Sequence, residues 1–182
     1  MKKLNDLDWE TILYKPGLPP KPDFDTSMVD ECYALASKWE DLSKAKDSCA
    51  TSSFEPSAED IKSWVSNQSV VFLESLQTLS APLHPSLIPL MDSAYHFGTS
   101  RNVELSSRFF VLGLKAGEKS VCQPAAELLG TVGRMKFVRP LYRHLVKVDR
   151  DLAIKTFKQH SDFYHPICRA MVEKDLFGDA KA

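Results

Sequence analysis

Residues 102–148, NVELSSRFFVLGLKAGEKSVCQPAAELLGTVGRMKFVRPLYRHLVKV, decide the fold class of this chain. Asn102 can cap a helix. Leu105, Phe109 and Leu112 follow it at spacings of three and four, which place apolar side chains on one helix face. The segment has no strand-like alternation of useful length, and it therefore predicts consecutive helices.

Helical signals continue in both directions from this segment. Hydroxyl side chains at Ser27, Ser57 and Ser66 are predicted caps, and the first two have a carboxylate three residues later. The predicted helices cover approximately 27–39, 57–64, 66–79, 87–97, 102–117, 121–132, 135–148, 152–160 and 164–176, with Gly98 and Gly133 after two of their ends. Pairs of roughly 35 to 45 residues predict an all-α fold of antiparallel hairpins, stacked in a HEAT- or armadillo-like right-handed superhelix.

The chain is predicted to divide into a connector over residues 1–25 and a helical-repeat domain over 26–182. Four of the eleven prolines fall within 14–22, where fixed φ angles and missing backbone donors exclude a helix or a central strand. The apolar residues just before this segment are Trp9, Ile12 and Leu13. We therefore expect the connector to pack as a strap against a surface.

The composition excludes several classes of function. Because the net charge is −1, nothing in the overall balance favours nucleic acid or an acidic membrane surface as a partner. No stretch approaches the roughly 20 apolar residues that span a bilayer, and the start lacks a signal sequence. The cysteines are Cys32, Cys49, Cys122 and Cys168. Their wide spacing predicts reduced thiols in a cytoplasmic protein.

The sequence lacks the motifs of an independent catalytic centre. It has no HExxH zinc motif, no GxSxG elbow and no glycine-rich phosphate loop. The five histidines are expected to have surface or helix-end roles. Cysteine–histidine catalysis can join residues that are distant in a chain, but a small half-buried thiol is the simpler interpretation of cysteines within helices. We therefore expect neither a catalytic centre nor a metal site within this chain.

The segment from Gly133 to Arg150 is the one informative cluster. It carries six basic residues and a single acid, Asp149. Arg134 and Lys136 are predicted to lie in the amino-terminal turn of a helix, where cations oppose the helix dipole and free N–H groups are available. Two interpretations remain open: a receptor for a carboxylate, or a basic edge that is solvated or paired with an acid elsewhere in the fold.

Two segments carry a resemblance to a known family. The connector, from Asp8-Trp9-Glu10 through Leu13-Tyr14-Lys15-Pro16-Gly17-Leu18-Pro19-Pro20, resembles the junction between the catalytic and carboxy-terminal domains in the leukotriene-A(4) hydrolase family of zinc aminopeptidases. Gly133-Arg134-Met135-Lys136-Phe137, continuing to Arg139-Pro140-Leu141, resembles the carboxylate-recognition segment of the same family. The similarity extends over nearly the whole chain.

The resemblance implies a part of a larger cytosolic hydrolase, a metalloprotease that also opens an epoxide in a lipid. The zinc and the catalytic residues of that family belong to the catalytic domain, which the resemblance makes this chain's partner. The family's carboxy-terminal domain closes one side of the active-site cleft. Its arginine and lysine, which match Arg134 and Lys136, bind the free carboxylate of a peptide or lipid substrate.

A second hypothesis belongs to a different class of function. The chain could work alone as a helical-repeat module that binds a partner protein on its solenoid surface. The two hypotheses differ in what they require outside this sequence, because the first needs an upstream HExxH-containing catalytic domain. The junction motif and the basic segment together favour the first.

Overall fold

The computed structural model describes residues 7–18, 24–47 and 53–178. Its helices are α1 (Trp9–Leu13), α2 (Ser27–Asp47), α3 (Ser66–Gln77), α4 (Leu87–Tyr95), α5 (Val103–Lys115), α6 (Cys122–Leu129), α7 (Met135–Val148), α8 (Arg150–His160) and α9 (Pro166–Phe177). Three 3₁₀ turns cover Ala58–Ile61, Lys119–Val121 and Ser161–Phe163. No residue in the described ranges lies in a strand, and the predicted all-α class is confirmed.

Five helices form one layer, in the order α2, α3, α5, α7 and α9, and each contacts its neighbours in this order. They run in the same direction, as contacts between matching ends show. Gln68 at the start of α3 donates to the carbonyl of Met28 at the start of α2, at 3.2 Å. Lys115, the last residue of α5, donates to the carbonyl of Gln77, the last residue of α3, at 2.8 Å.

The remaining elements return the chain on the other side of this layer. The first 3₁₀ turn contacts α4, and α6 contacts α8 as well as α5 and α7. Each return element is followed by a helix of the first layer, as predicted for stacked helix pairs. The layer helices α3, α5, α7 and α9 begin at residues 66, 103, 135 and 166, so one pair takes 31 to 37 residues. The step of 37 residues, like the 39 residues from the start of α2 to the start of α3, lies within the predicted 35 to 45, whereas the later steps of 32 and 31 residues are shorter.

A continuous core lies between the layers, and its largest fully buried side chains include Trp39, Phe72, Phe109 and Tyr142. The polar atoms of the buried aromatic residues are paired. The indole Nε1 of Trp39 donates to the hydroxyl of Tyr95 at 3.2 Å, and this hydroxyl donates to Asp60 Oδ2 at 2.7 Å. The chain of hydrogen bonds fastens α2 to α4 and to the first 3₁₀ turn.

A second buried chain of hydrogen bonds links α6 and α7 to Tyr164, which follows the third 3₁₀ turn. Tyr164 donates its hydroxyl proton to the carbonyl of Leu129 at 2.7 Å. The Tyr142 hydroxyl lies 3.0 Å from the Tyr164 hydroxyl and must be the donor, since the single proton of Tyr164 is already used. Burial, and for Tyr142 also this hydrogen bond, raises the pKa of both phenols. They act as neutral structural groups.

Several predicted boundaries differ from the structure. The helix predicted over 121–132 is α6, which ends at Leu129, because the N–H of Gly130 already closes on the carbonyls of Ala126 and Glu127. A Cβ at Gly130 would lie 2.9 Å from the ring of His160, so a larger residue there would force this ring to move. Gly133 therefore lies in the connection before α7 and does not end α6.

Two more predictions need correction. The helix predicted from Ser57 is only the 3₁₀ turn Ala58–Ile61, although the predicted bond from the Ser57 N–H to Asp60 Oδ2 is present at 2.8 Å. Helix α4 ends at His96, whose φ of 55° is left-handed, and not through a left-handed Gly98. Gly98 instead lies close to Asp92: a Cβ there would be 2.8 Å from its carboxylate, which would have to move.

The connector contains a short helix that the proline pattern did not predict. Asp8 caps α1 by accepting from the N–H of Thr11 at 3.0 Å. No residue of α1 is buried, and Leu13 and Leu18 are 62% and 97% exposed. Residues 19–23, which contain three of the four connector prolines, lie outside the described part of the chain. The boundary at residue 25 and the strap's packing surface stay predictions.

Helix α9 is fastened to α7 by one carboxylate. Asp175 accepts from Arg139 Nε at 2.6 Å and from Arg143 Nε at 2.9 Å. Burial alone would raise the pKa of Asp175, but the hydrogen bonds from the two arginines outweigh it and lower the pKa below its ordinary value. Arg143 is 50% exposed, so water screens part of its charge.

We expect Asp175→Asn to destabilise the chain by about 1 to 2 kcal/mol at pH 7. A lowered folded-state pKa means that the stabilisation is present at neutral pH and is lost as the pH falls below about 4. The difference in free energy of unfolding between wild type and variant should therefore narrow toward pH 3. Urea unfolding at both pH values measures it, and an equal gap at both would indicate lost packing instead of lost charge.

No helix within the described residues is long and apolar enough to cross a membrane.

Candidate functional site

Arg134 occupies the cap position of α7, as the sequence predicted. Its backbone is extended, and its carbonyl accepts from the N–H groups of Phe137 at 2.9 Å and Val138 at 3.1 Å. The side chain is exposed and forms no ion pair with any residue that the structure describes. The N–H groups of Met135 and Lys136 donate to no acceptor among the same residues. The turn therefore presents a cation and two backbone donors to solvent.

Lys136 is in a different state from Arg134. Its Nζ lies 2.8 Å from both carboxylate oxygens of Glu104, the second residue of α5. For Lys136 the structure thus shows an ion pair with an acid elsewhere in the fold, one of the two interpretations that the sequence left open. Arg134 has no such partner among the described residues, so it is the more available cation of the two.

One aromatic ring supports both cations. The Arg134 Cζ lies 5.8 Å and the Lys136 Nζ 5.3 Å from the centroid of the Phe137 ring. Phe137 is itself only 7% exposed, so it is held by the core. Contacts of this kind contribute about 0.5 to 1 kcal/mol at exposed sites and favour the position of each cation. The ring therefore keeps the two side chains on the same side of α7.

Glu104 also contacts a second, less exposed cation. Arg108 reaches it through Nη1, and Arg108 Nε donates to Glu74 of α3 at 2.8 Å. The Arg108 side chain is 14% exposed, against 46% for Lys136. Hydrogen bonds from Lys136 and then Arg108 lower the pKa of Glu104, which is therefore ionised at neutral pH.

Three of the six basic residues of this segment form ion pairs with neighbouring helices, and two of the three share one carboxylate. Lys136 pairs with Glu104, and Arg139 and Arg143 pair with Asp175. Glu104 and Asp175 were not part of the predicted site. The sequence offered one local signal for Glu104: Arg108 lies four residues later on the same helix, a spacing that favours an ion pair. The contact between Glu104 and Lys136 depends on how the helix pairs stack.

The site is open on this chain. A cavity of about 150 Å³ lies between α3, α5 and α7 and is lined in part by Lys136, Arg108 and Phe137. This is the volume of about five water molecules, too little for a peptide. A larger cavity of about 620 Å³ lies away from these cations, beside Asp92, His96 and Glu127. The described residues around Lys136 and Arg108 therefore form a shallow surface that is open to solvent.

The other candidate residues do not assemble into a centre. Within the described ranges, no three side chains of His, Cys, Asp or Glu lie together as metal ligands. Burial raises the pKa of the thiols of Cys32, Cys122 and Cys168, which disfavours the reactive thiolate. These thiols are buried, more fully than predicted, and Cys49 lies outside the described residues. Three histidines lie at helix ends: His96 after α4, His160 at the end of α8 and His165 before α9.

Comparison with known proteins gives consistent relatives. Leucine aminopeptidase 2 of Aspergillus niger is 58% identical over 177 residues, which are 97% of this chain and 28% of the relative. A leukotriene A-4 hydrolase homolog of Botryotinia fuckeliana is 56% identical over 96% of this chain and 26% of its own length. The chain thus spans little more than a quarter of the relatives that it matches.

Solved structures agree with the sequence relatives. Native yeast LTA4 hydrolase superposes with a TM-score of 0.78 at 38% identity, over 95% of this chain and 30% of the yeast chain. The yeast enzyme in complex with bestatin gives a TM-score of 0.74. The family model described as leukotriene A4 hydrolase, C-terminal, matches residues 64–176. The chain belongs to the leukotriene A4 hydrolase C-terminal domain family.

Proposed function

We propose that this chain is the C-terminal helical domain of a larger cytoplasmic zinc aminopeptidase. In this role it closes one side of the active-site cleft. Arg134 binds the free carboxylate of the peptide substrate, with Lys136 beside it, and a lipid acid offers the same group. The zinc ligands belong to the catalytic domain, so this chain contributes binding and closure and performs no bond-breaking step.

One observation carries the proposal: Arg134 is an exposed cation at the start of α7, without an acidic partner among the described residues. A guanidinium in this position can form two parallel hydrogen bonds to a carboxylate. The free N–H groups of Met135 and Lys136 favour an anion at the same place. The similarity of the chain to aminopeptidases and leukotriene A4 hydrolases over only part of their length supports a site completed by another domain.

A chimera tests this proposal. The segment of Aspergillus niger leucine aminopeptidase 2 that this chain matches at 58% identity is replaced by this chain. We expect the chimera to recover most of the aminopeptidase activity, whereas the relative truncated before this segment should lose it. If the folded chimera were no more active than the truncated enzyme, the chain would not perform the domain's role, and a stand-alone interaction module would become the better explanation.

A further inference from the structure

Glu104 stands between the proposed carboxylate site and a fixed positive charge. Its two oxygens face Lys136 Nζ at equal distances of 2.8 Å, and Arg108 contacts one of them from the other side. Arg108 cannot turn away freely, because it also donates to Glu74 and to the carbonyl of Glu104 itself, each at 2.8 Å. Arg108 therefore holds the Glu104 carboxylate in place beside Lys136.

The charges of this cluster cancel in pairs. Lys136 is balanced by Glu104, and Arg108 is balanced by Glu74. Among these side chains and Arg134, the cation that remains without an acidic partner in the described structure is Arg134. An incoming carboxylate meets a site with one available positive charge, and it must compete with Glu104 for the second.

We propose that Glu104 sets the strength of carboxylate binding by holding Lys136 as its counter-ion. This inference rests on the proposed role of Arg134 and Lys136. Glu104 is a positioning residue that acts through Lys136. It limits affinity for the substrate carboxylate, which favours release of a peptide product that carries the same group.

The inference predicts that removing the negative charge of Glu104 strengthens the binding of a carboxylate. In Glu104→Gln the amide keeps the shape of the side chain but no longer neutralises Lys136. We expect N-acetylglycine, a monovalent carboxylate, to bind about two- to fivefold more tightly, the effect of one exposed charge pair. The gain should shrink in 1 M salt, where the screening length is about 3 Å. A purely structural role for Glu104 would instead weaken binding, so the sign separates the two explanations.

The experiment is an NMR titration of the 182-residue chain with N-acetylglycine, and with the neutral N-acetylglycinamide for comparison. The Lys136 ammonium signal is followed alongside the backbone. It should be visible in wild type, where Glu104 holds it, and broadened in Glu104→Gln. Glu127→Gln serves as the matched control, because Glu127 is an exposed acid on α6 that contacts Gln123 and no residue of this cluster. This control should leave the affinity unchanged.

A double variant identifies the route of the effect. If Glu104 acts through Lys136, then Glu104→Gln should give little further gain in a Lys136→Met background. A gain that persists there, or unchanged or weaker binding in Glu104→Gln, overturns the inference even when Arg134→Ala abolishes binding to wild type. If Arg134→Ala leaves the binding of N-acetylglycine unchanged, the proposed carboxylate site itself is overturned. Failure of the role of Glu104 and failure of the carboxylate site therefore give different results.

Discussion

Arg134→Ala in the chimeric aminopeptidase is expected to lower kcat/KM by roughly 30-fold to several thousand-fold for peptides with a free carboxy terminus. This range corresponds to about 2 to 5 kcal/mol for removal of one partner of a charged pair, if the catalytic domain and the bound substrate cover Arg134 and exclude water as proposed. The guanidinium forms a bidentate contact that a lysine ammonium does not reproduce. Steady-state kinetics with a series of di- and tripeptides measures the effect.

The comparison between substrates is decisive. Amidated peptides and aryl amides lack the carboxylate, so they should lose much less activity, whereas a folding defect would depress both classes equally. Lys136→Ala should cost less than Arg134→Ala, because Lys136 is already paired with Glu104. Arg101→Ala, which removes another exposed arginine just before α5, should leave both classes unchanged. Equal losses for free and amidated peptides at unchanged stability would rule out carboxylate anchoring.

The largest expected effect on stability comes from Trp39→Ala. Trp39 is fully buried in α2, and its ring meets the rings of Phe54 and Tyr95 edge to face, with centroids 5.9 and 5.8 Å away. Truncation leaves a cavity and removes the indole donor from the Tyr95 hydroxyl. We expect a loss of about 3 to 5 kcal/mol in the free energy of unfolding. Urea unfolding followed by helical circular dichroism measures this loss.

Tyr33→Ala is the control for this substitution. Tyr33 lies on the same helix but is 54% exposed, so its removal should change the free energy of unfolding by less than about 0.5 kcal/mol. Similar effects for the two variants would mean that helix propensity in α2, and not the buried contacts of Trp39, determines the result.

The sequence predicted the helices with strong local signals. Helix α7 covers the predicted residues 135–148, and α5 begins after its predicted cap, Asn102, whose side chain accepts from the Glu104 N–H at 3.1 Å. Caps and apolar spacing act within a few residues, which is why they can be recognised in a single sequence. Helix ends that depend on contacts elsewhere in the fold, such as Gly130 against His160, could not be predicted in this way.

The partners of the basic residues were not predictable from local pattern. The side-chain ion pairs between neighbouring helices of the layer join residues 32 to 36 positions apart, as in Lys136–Glu104, Arg108–Glu74 and Arg139–Asp175. This separation matches the 31 to 37 residues of one helix pair. These partners could be found from the sequence only if the repeat length were known. The sequence has no residue-by-residue repeat from which that length could be read.

The single layer of parallel helices also determines where the fold opens. Among the described helices, α3, α5 and α7 have a layer neighbour on both sides, whereas α2 packs mainly on α3 and α9 mainly on α7. In an arrangement of nearest-neighbour contacts, the end unit opens at the lowest free energy. We therefore expect the amide hydrogens of α9 to be less protected from exchange than those of α7. Arg134 caps the neighbouring helix α7, so we expect the ion pairs of Asp175 with Arg139 and Arg143 to affect the order of the proposed site.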